Sequence, residues 1–127
     1  DWMRAQGQAS LAESTEDALC LARMLKALHD LPQLSVALIE GPALGGGAGL
    51  AAACDVAVAT ADASFRFSEV RLGLTPATIS PYVIEAIGPR MARALFATGE
   101  GFDAAYAAQI GLVQYAVADR AELESRF

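Results

Sequence analysis

The fold of this chain is decided by the stretch Glu40-Gly41-Pro42-Ala43-Leu44-Gly45-Gly46-Gly47-Ala48-Gly49-Leu50-Ala51-Ala52-Ala53-Cys54-Asp55. Residues 35–39, just before it, are apolar and rich in β-branched side chains, which predicts a buried strand. Residues 50–54, after the glycines, are good helix formers with no proline among them. The chain is therefore predicted to leave a strand, pass through glycines and enter a helix.

A strand-to-helix turn built from glycine is suited to binding an oxygen atom. Glycine has no Cβ, so the turn can take unusual dihedral angles and another molecule can lie against bare backbone. The first amides of a helix have no partner within the helix and carry the positive end of its dipole. They form a socket for an oxygen that is negative or becoming negative. Close packing of helix on strand would explain one or two of these glycines, but their density favours a ligand.

Two other glycine-rich sites are alternatives to this interpretation. A phosphate-binding P-loop needs Lys and Ser or Thr after its last glycine, and this sequence has neither there. A dinucleotide fingerprint is a weaker rival, since Gly47, Gly49 and Ala52 fit its loose spacing and Glu69 follows about 20 residues later. In that fingerprint, however, the first glycine directly follows the strand, whereas residues 41–46 intervene here.

Composition limits the class of protein. The chain has 127 residues, enough for one domain, with 54% hydrophobic and 19% charged residues. Because it opens at Asp1 without an initiator Met and is unusually apolar, we expect residues 1–127 to be a partial domain of a longer protein. A net charge of −6 argues against nucleic acid or anionic membrane as partners. No uncharged run approaches the ~20 residues of a membrane span.

The cysteine and histidine content argues against metal and disulfide chemistry. One His and two Cys show no metal-ligand spacing, so no metal is expected. Cys20 and Cys54 are interpreted as small buried hydrophobic residues within helices, as in a protein of the reducing cytoplasm. His29 is expected to be a surface imidazole on the last turn of its helix.

The remaining elements alternate between helix and strand. Helices are predicted from the polar start at residues 14–17 to about 31, and at 82–87, 90–98, 103–109 and 121–127, with strands at 56–60, 64–67 and 113–117. Asp103 is predicted to cap its helix and Gly111 to end it. This order indicates an α/β fold with largely parallel strands.

Three blocks of the sequence resemble the crotonase (enoyl-CoA hydratase/isomerase) superfamily. They are Ala43-Leu44-Gly45-Gly46-Gly47-x-Gly49-Leu50-Ala51-x-x-Cys54-Asp55, Ala63-x-Phe65-x-x-x-Glu69-Val70-x-Leu72-Gly73-Leu74-x-Pro76, and Thr98-Gly99 with Ala104, Ala107 and Gly111-Leu112-Val113. The resemblance implies a β-β-α spiral, incomplete at both ends, that assembles as trimers or dimers of trimers. It implies an acyl-CoA thioester as substrate and no cofactor beyond the coenzyme A that the substrate carries.

The resemblance also assigns roles to individual positions. Gly46 matches the second oxyanion-hole amide, and Glu69 matches a catalytic carboxylate. The positions matching the substrate contacts are Ala43, Leu44, Gly45, Gly49, Pro76 and Ala77, of which Ala77 offers a backbone amide to the water and carboxylate in hydratases. The first oxyanion amide is expected in a motif just before Asp1.

One position departs from the family pattern. Family hydratases often carry Glu where this chain has Gly49, and that Glu helps to activate the attacking water. The block around Glu69 looks most like hydratases of branched enoyl-CoAs, the methylglutaconyl-CoA type of leucine catabolism, where Gly is tolerated. The leading hypothesis is 2-enoyl-CoA hydration by Glu69, whose apolar sequence neighbours would raise its pKa toward working pH. The alternatives are a Δ3,Δ2-enoyl-CoA isomerase with a single Glu, or a truncated piece without activity.

Overall fold

The computed structural model describes residues 11–69 and 77–126. The helices are α1 (Leu11–His29), α2 (Gly46–Ala53), α3 (Ser80–Ile87), α4 (Pro89–Thr98), α5 (Ala104–Ile110) and α6 (Arg120–Arg126). The strands are β1 (Val36–Ile39), β2 (Pro42–Leu44), β3 (Val56–Thr60), β4 (Ser64–Arg66), β5 (Phe102–Asp103) and β6 (Tyr115–Val117). The α/β class is confirmed. None of the helices within the described ranges is long and apolar enough to cross a membrane.

Two small sheets share the strands in alternation. The first sheet has the order β1-β3-β6 with parallel pairs, and the second has the order β2-β4-β5, in which only the β4–β5 pair is antiparallel. Along the chain, β1 joins the first sheet, β2 joins the second, and α2 follows; β3, β4 and α3 then repeat the pattern. The chain therefore winds in β-β-α units whose equivalent strands stack side by side, and the prediction of largely parallel strands is confirmed.

Aromatic side chains anchor the end of β4 in the core. Phe65 and Phe67 are both fully buried. The Phe67 ring meets Phe96 of α4 edge to face with centroids 5.1 Å apart, and the Phe65 ring stacks on Phe102 at 5.6 Å. Such pairs add to the free energy gained from burial alone. Packing of the Phe65 and Phe67 rings therefore fixes the backbone just before Glu69 in the core.

Some predicted boundaries were wrong for physical reasons. The polar residues 14–17 do not start a helix, because α1 already includes Leu11; Ser, Thr and Asp favour a cap but cost little inside a helix. The strands β2 and β5 were not predicted, since each has three residues or fewer and gives too short a pattern to recognise. Cys20 is exposed rather than buried, whereas Cys54 is half-buried.

The predicted cap of α5 is confirmed and gives a stability prediction. Asp103 Oδ1 accepts a hydrogen bond of 2.8 Å from the Tyr106 N–H, and Gly111 ends the helix with φ of 91°. Replacing Asp103 with Ala should therefore destabilise the intact protein by about 1 kcal/mol, because a helix N–H loses its acceptor. Thermal unfolding would measure the change. Asp103→Asn, which keeps an acceptor oxygen, should stay close to the wild type; equal loss in both variants would contradict the capping role.

Candidate active site

The turn between β2 and α2 requires glycine at position 45. Gly45 has φ of 52° and ψ of −112°, a conformation that side chains rarely allow. Its N–H donates to the Arg66 carbonyl at 2.9 Å, and its own carbonyl accepts from the Gly49 N–H at 3.0 Å. The first bond ties the turn to the end of β4, and the second starts the helix. Gly46 is consequently fixed as the first residue of α2.

The Gly46 amide lies at the N-terminus of an eight-residue helix. Within residues 11–69 and 77–126, its N–H has no hydrogen-bond acceptor. A Cβ built on Gly46 would meet no described atom within 4 Å, and the residue is partly exposed. The amide carries the positive end of the helix dipole, which favours an oxygen with negative charge at this position.

Glu69 is buried with an unsatisfied carboxylate atom. Only 7% of the residue is exposed, and among the described residues Oε2 has no hydrogen-bond partner. Burial raises the pKa of Glu69 above its ordinary value of 4.5, because removing water disfavours the charged form, and a backbone hydrogen bond only partly opposes this shift. A buried carboxyl oxygen without a described partner is costly for folding alone, which marks Glu69 as a candidate for chemistry.

The two groups leave the same edge of the second sheet. β2 and β4 are parallel neighbours, with Leu44 paired to Arg66. Gly46 comes two residues after the end of β2, and Glu69 comes three residues after the end of β4. Carboxyl ends of neighbouring parallel strands face the same side of a sheet, the usual position of a ligand site in α/β folds. The register of these strands therefore places Gly46 and Glu69 after the same edge of the sheet.

The other positions singled out from the sequence differ in their surroundings. Ala43 is buried, whereas Leu44 is exposed, because consecutive residues of a strand point to opposite faces of the sheet. Ala77 is exposed, and its carbonyl accepts from Ser80 Oγ at 3.2 Å. Gly49 is buried within α2. Pro76 lies outside the described residues.

Sequence reasoning missed the residue that Gly49 contacts. A Cβ built on Gly49 would lie 2.4 Å from Cγ2 of Ile79, and Ile79 itself is only 2% exposed. The two residues are 30 positions apart, so no local pattern links them. The predicted helix began at residue 82, whereas α3 begins at Ser80 with Ile79 as its N-cap, so no sequence signal indicated this contact.

The dinucleotide interpretation does not fit the observed turn. Gly47, Gly49 and Ala52 all lie inside α2, while the residue with positive φ that follows β2 is Gly45. In a dinucleotide fingerprint the first glycine forms that tight turn. The described part of the chain also contains no cluster of three or more His, Cys, Asp or Glu side chains that could hold a metal ion.

His29 lies in a surface cluster of charged side chains. Its Nδ1 is 3.2 Å from Asp30 Oδ1, and its Nε2 is 3.3 Å from Glu85 Oε1 of α3. Hydrogen bonds to Asp30 and then to Glu85 raise the pKa of His29 above its ordinary value. The imidazole thus links α1 to α3, in agreement with the expectation of a surface histidine.

The buried acid predicts a specific pH dependence of stability. Unfolded Glu69 ionises near pH 4.5, whereas the folded protein holds the proton to higher pH, so stability falls as pH rises from 4.5 through the raised pKa. In Glu69→Gln this loss should be missing. The melting temperature of the variant should equal that of the wild type below about pH 4 and exceed it at neutral pH. An equal difference at both pH values would contradict ionisation as its cause.

Comparison with known proteins supports one family throughout. A sequence profile described as enoyl-CoA hydratase/isomerase matches residues 3–127. A solved structure from Legionella pneumophila, described as an enoyl-CoA hydratase/isomerase (crotonase), is 47% identical with a TM-score of 0.93, over 98% of this chain and 48% of that one. An enoyl-CoA hydratase of Alternaria alternata, ACTT6, is 34% identical over 94% of this chain and 40% of its own length.

A relative with a different activity is also similar. The ethylmalonyl-CoA decarboxylase of Danio rerio is 43% identical over 73% of this chain and 30% of its own length. The chain thus spans less than half the length of each of these relatives. The names of these relatives give different reactions, hydration or isomerisation of an enoyl-CoA in two cases and decarboxylation of ethylmalonyl-CoA in the third.

Proposed function

Because the chain belongs to the enoyl-CoA hydratase/isomerase family, we propose that the intact protein adds water across the 2,3 double bond of an acyl-CoA thioester. Glu69 is the acid and base, and the Gly46 N–H binds the thioester oxygen. The observation that carries this proposal is the buried Glu69 Oε2 atom without a described partner, at the edge where α2 presents its free amide. An acid placed there is available to a substrate proton.

The proposed reaction needs one carboxyl group and one oxyanion donor. The Glu69 carboxylate takes a proton from water as the oxygen of that water bonds to C3. The electron pair of the 2,3 double bond moves toward the thioester, and the carbonyl oxygen becomes an enolate oxygen facing the Gly46 N–H. The protonated Glu69 then gives its proton to C2, which restores the thioester and leaves a 3-hydroxyacyl-CoA. A backbone donor aimed at the developing charge lowers the barrier without rearranging.

The raised pKa of Glu69 suits both halves of this cycle. An ordinary glutamate would be a weak base at neutral pH, and it would release its proton too readily once protonated. Burial brings the pKa of Glu69 nearer to neutrality, which improves proton transfer in both directions. The charge that builds up on the substrate is negative, so a neutral, protonated Glu69 beside it avoids repulsion at that stage.

The resemblance extends the proposal to the remaining parts of the site. We propose that Ala43, Leu44, Gly45 and Pro76 line the path of the thioester and that the Ala77 N–H holds the water. We further propose a branched acyl group, as in the methylglutaconyl-CoA type of leucine catabolism, and a cytoplasmic trimer or dimer of trimers. The proposed reaction needs no cofactor beyond the coenzyme A that the substrate carries.

Isomerisation is a second candidate. It is favoured because position 49 is glycine and the close packing of Ile79 leaves no space there for a second acidic side chain. In that reaction the Glu69 carboxylate takes a proton from C2 of a 3-enoyl-CoA, and the enolate again forms against the Gly46 N–H. The same carboxyl group returns the proton to C4, the 3,4 double-bond pair forms the new C–H bond, and the double bond moves to C2–C3. One acid is sufficient, and no water is consumed.

Two substrates given separately distinguish these reactions. The intact protein is incubated with crotonyl-CoA and, in a second vessel, with 3-hexenoyl-CoA. Loss of the conjugated thioester absorbance with crotonyl-CoA supports hydration, and gain of that absorbance with 3-hexenoyl-CoA supports isomerisation. Turnover of the second substrate alone would overturn hydration as the main activity, and turnover of neither would overturn both proposals for these acyl groups.

A further inference from the structure

Arg66 joins three parts of the fold at the end of β4. Its main chain pairs with Leu44 of β2 in parallel register, and its carbonyl accepts the 2.9 Å hydrogen bond from the Gly45 N–H. Its side chain reaches the end of α4, where the guanidinium Nη1 donates to the Gly99 carbonyl at 2.8 Å. Gly99 is the C-cap of α4, with φ of 61°. A single residue therefore connects the turn between β2 and α2 to the C-terminus of α4.

The guanidinium of Arg66 fits closely at this helix end. The last carbonyls of a helix have no partner within it and carry the negative end of its dipole, so a cation that donates a hydrogen bond is favoured there. A Cβ built on Gly101 would lie 2.8 Å from Arg66 Nη2 and 3.3 Å from its Cζ, so the loop after α4 accommodates the guanidinium by having glycine at that position. Within the described ranges, Arg66 forms no ion pair with a carboxylate. The bond to the helix end is therefore the contact that orients its side chain.

The turn that presents the Gly46 amide depends on this connection for its position. Gly45 has no Cβ and a φ of 52°, so its own dihedral preferences restrain it weakly. Two hydrogen bonds hold it instead, one from its N–H to the Arg66 carbonyl and one from the Gly49 N–H to its carbonyl. The Gly45 carbonyl and the Gly46 N–H belong to one planar peptide unit. A shift of the Arg66 carbonyl therefore changes where the Gly46 N–H points.

We infer that the Arg66 side chain is a positioning residue for the proposed reaction and acts on the Gly46 amide through Gly45. By binding the C-terminus of α4 it holds the end of β4, and the Arg66 carbonyl in turn holds Gly45. An oxyanion donor must be in place before charge develops on the substrate, and a misplacement of about 1 Å can cost about 10²-fold in rate. This inference rests on the proposed function, because it assumes that the Gly46 N–H binds the thioester oxygen.

Replacing Arg66 with Met in the intact protein tests this role. Methionine keeps an unbranched apolar stem but cannot donate to the Gly99 carbonyl. We expect kcat to fall about 10-fold with KM nearly unchanged, because a displaced oxyanion donor weakens binding of the transition state more than binding of the substrate. Arg66→Lys, which has a similar stem and can donate, should have a kcat between those of Arg66→Met and the wild type. Equal kcat values in the Met and Lys variants would overturn the inference.

The matched control changes another arginine in the same way. Arg93 is exposed on α4, so Arg93→Met removes an equal charge and should leave kcat near that of the wild type. An equal loss of kcat in Arg93→Met and Arg66→Met would show an effect of net charge and would overturn the inference.

A double-mutant cycle with Gly46→Pro separates positioning of the amide from a general loss of structure. Gly46→Pro removes the N–H on which Arg66 is inferred to act. In that background Arg66→Met should lower kcat by no more than about twofold. A purely structural contribution would lower kcat by the same factor in both backgrounds, and that result would overturn the inference.

The same cycle distinguishes failure of this inference from failure of the proposed function. A loss of kcat in Gly46→Pro with none in Arg66→Met would overturn the inference alone. An unchanged kcat in Gly46→Pro would overturn the proposed use of the amide, and the inference with it.

Gly101→Ala disturbs the same contact without changing Arg66, so it keeps the inference testable if Arg66→Met does not fold. The φ of Gly101 is not positive, so alanine suits the backbone there. Its methyl group would stand 2.8 Å from Arg66 Nη2 and displace the flexible end of that side chain. We expect kcat to fall in the wild-type background and to stay unchanged in the Gly46→Pro background, with a melting temperature near that of the parent protein. An unchanged kcat in both backgrounds would overturn the inference.

Discussion

Replacing Glu69 with Gln should lower kcat/KM of the intact protein by about 10²- to 10⁴-fold, the usual contribution of a positioned acid–base group. Gln has nearly the same shape but neither accepts nor releases a proton at working pH. The buried position of Glu69 makes the substitution mild for folding, since an amide is less costly to bury than a charge. Steady-state kinetics with a 2-enoyl-CoA and a 3-enoyl-CoA would measure the loss.

The control for this experiment is an exposed acid. Glu100 lies in the loop after α4 and is exposed, so Glu100→Gln changes the net charge equally and should leave kcat/KM near that of the wild type. The pH profile adds a further criterion. The rising limb that the wild type shows as Glu69 ionises should be missing from the residual activity of Glu69→Gln. Wild-type kinetics in this variant would remove Glu69 from the mechanism.

Removing the Gly46 amide should lower kcat by about 10²- to 10³-fold, as the loss of one oxyanion donor does in other enzymes (~3–4 kcal/mol). Gly46→Pro deletes the N–H, and proline is well tolerated at the first position of a helix. Gly45 before it has no Cβ to collide with the proline ring. The free Gly46 N–H makes no described hydrogen bond within the protein, so its loss should affect the reaction more than the fold.

The matched control at this position is Gly46→Ala. It keeps the N–H, and its methyl group meets no described atom within 4 Å, so the fold should be retained. Thermal unfolding of both variants separates damage to the helix from damage to the site. If Gly46→Pro and Gly46→Ala had equal kcat values, the amide would have no part in stabilising the enolate.

Much of the fold could be predicted from local patterns. The strand Val56–Thr60 has the predicted bounds, and the helix Pro89–Thr98 ends at the predicted residue, because apolar runs and breakers such as Gly99 mark these boundaries. The strand β2 could not be predicted, since it consists of three residues that include Pro42. It becomes a strand only because β4 offers a parallel partner. Strand pairing of this kind is set by tertiary structure, so it cannot be predicted from the sequence of a three-residue segment.

The candidate site was predictable in its parts and not in its arrangement. The glycine turn and the acid at position 69 followed from the sequence blocks. The burial of Glu69 is a property of the folded chain that the local sequence around position 69 does not reveal. The close packing of Ile79 against Gly49 depends on where α3 begins relative to α2. Both are properties of three-dimensional packing, so the environment of each functional group required the structure.

The hydrogen bond from the Gly45 N–H to the Arg66 carbonyl joins two successive windings of the chain. In the proposed reaction, the first winding supplies the turn that binds the thioester oxygen, and the next winding supplies the acid that transfers the proton. Neither winding holds both groups, so the proposed activity requires the two windings to stay docked. A substitution that loosens this contact should therefore lower the proposed activity more than it lowers the melting temperature.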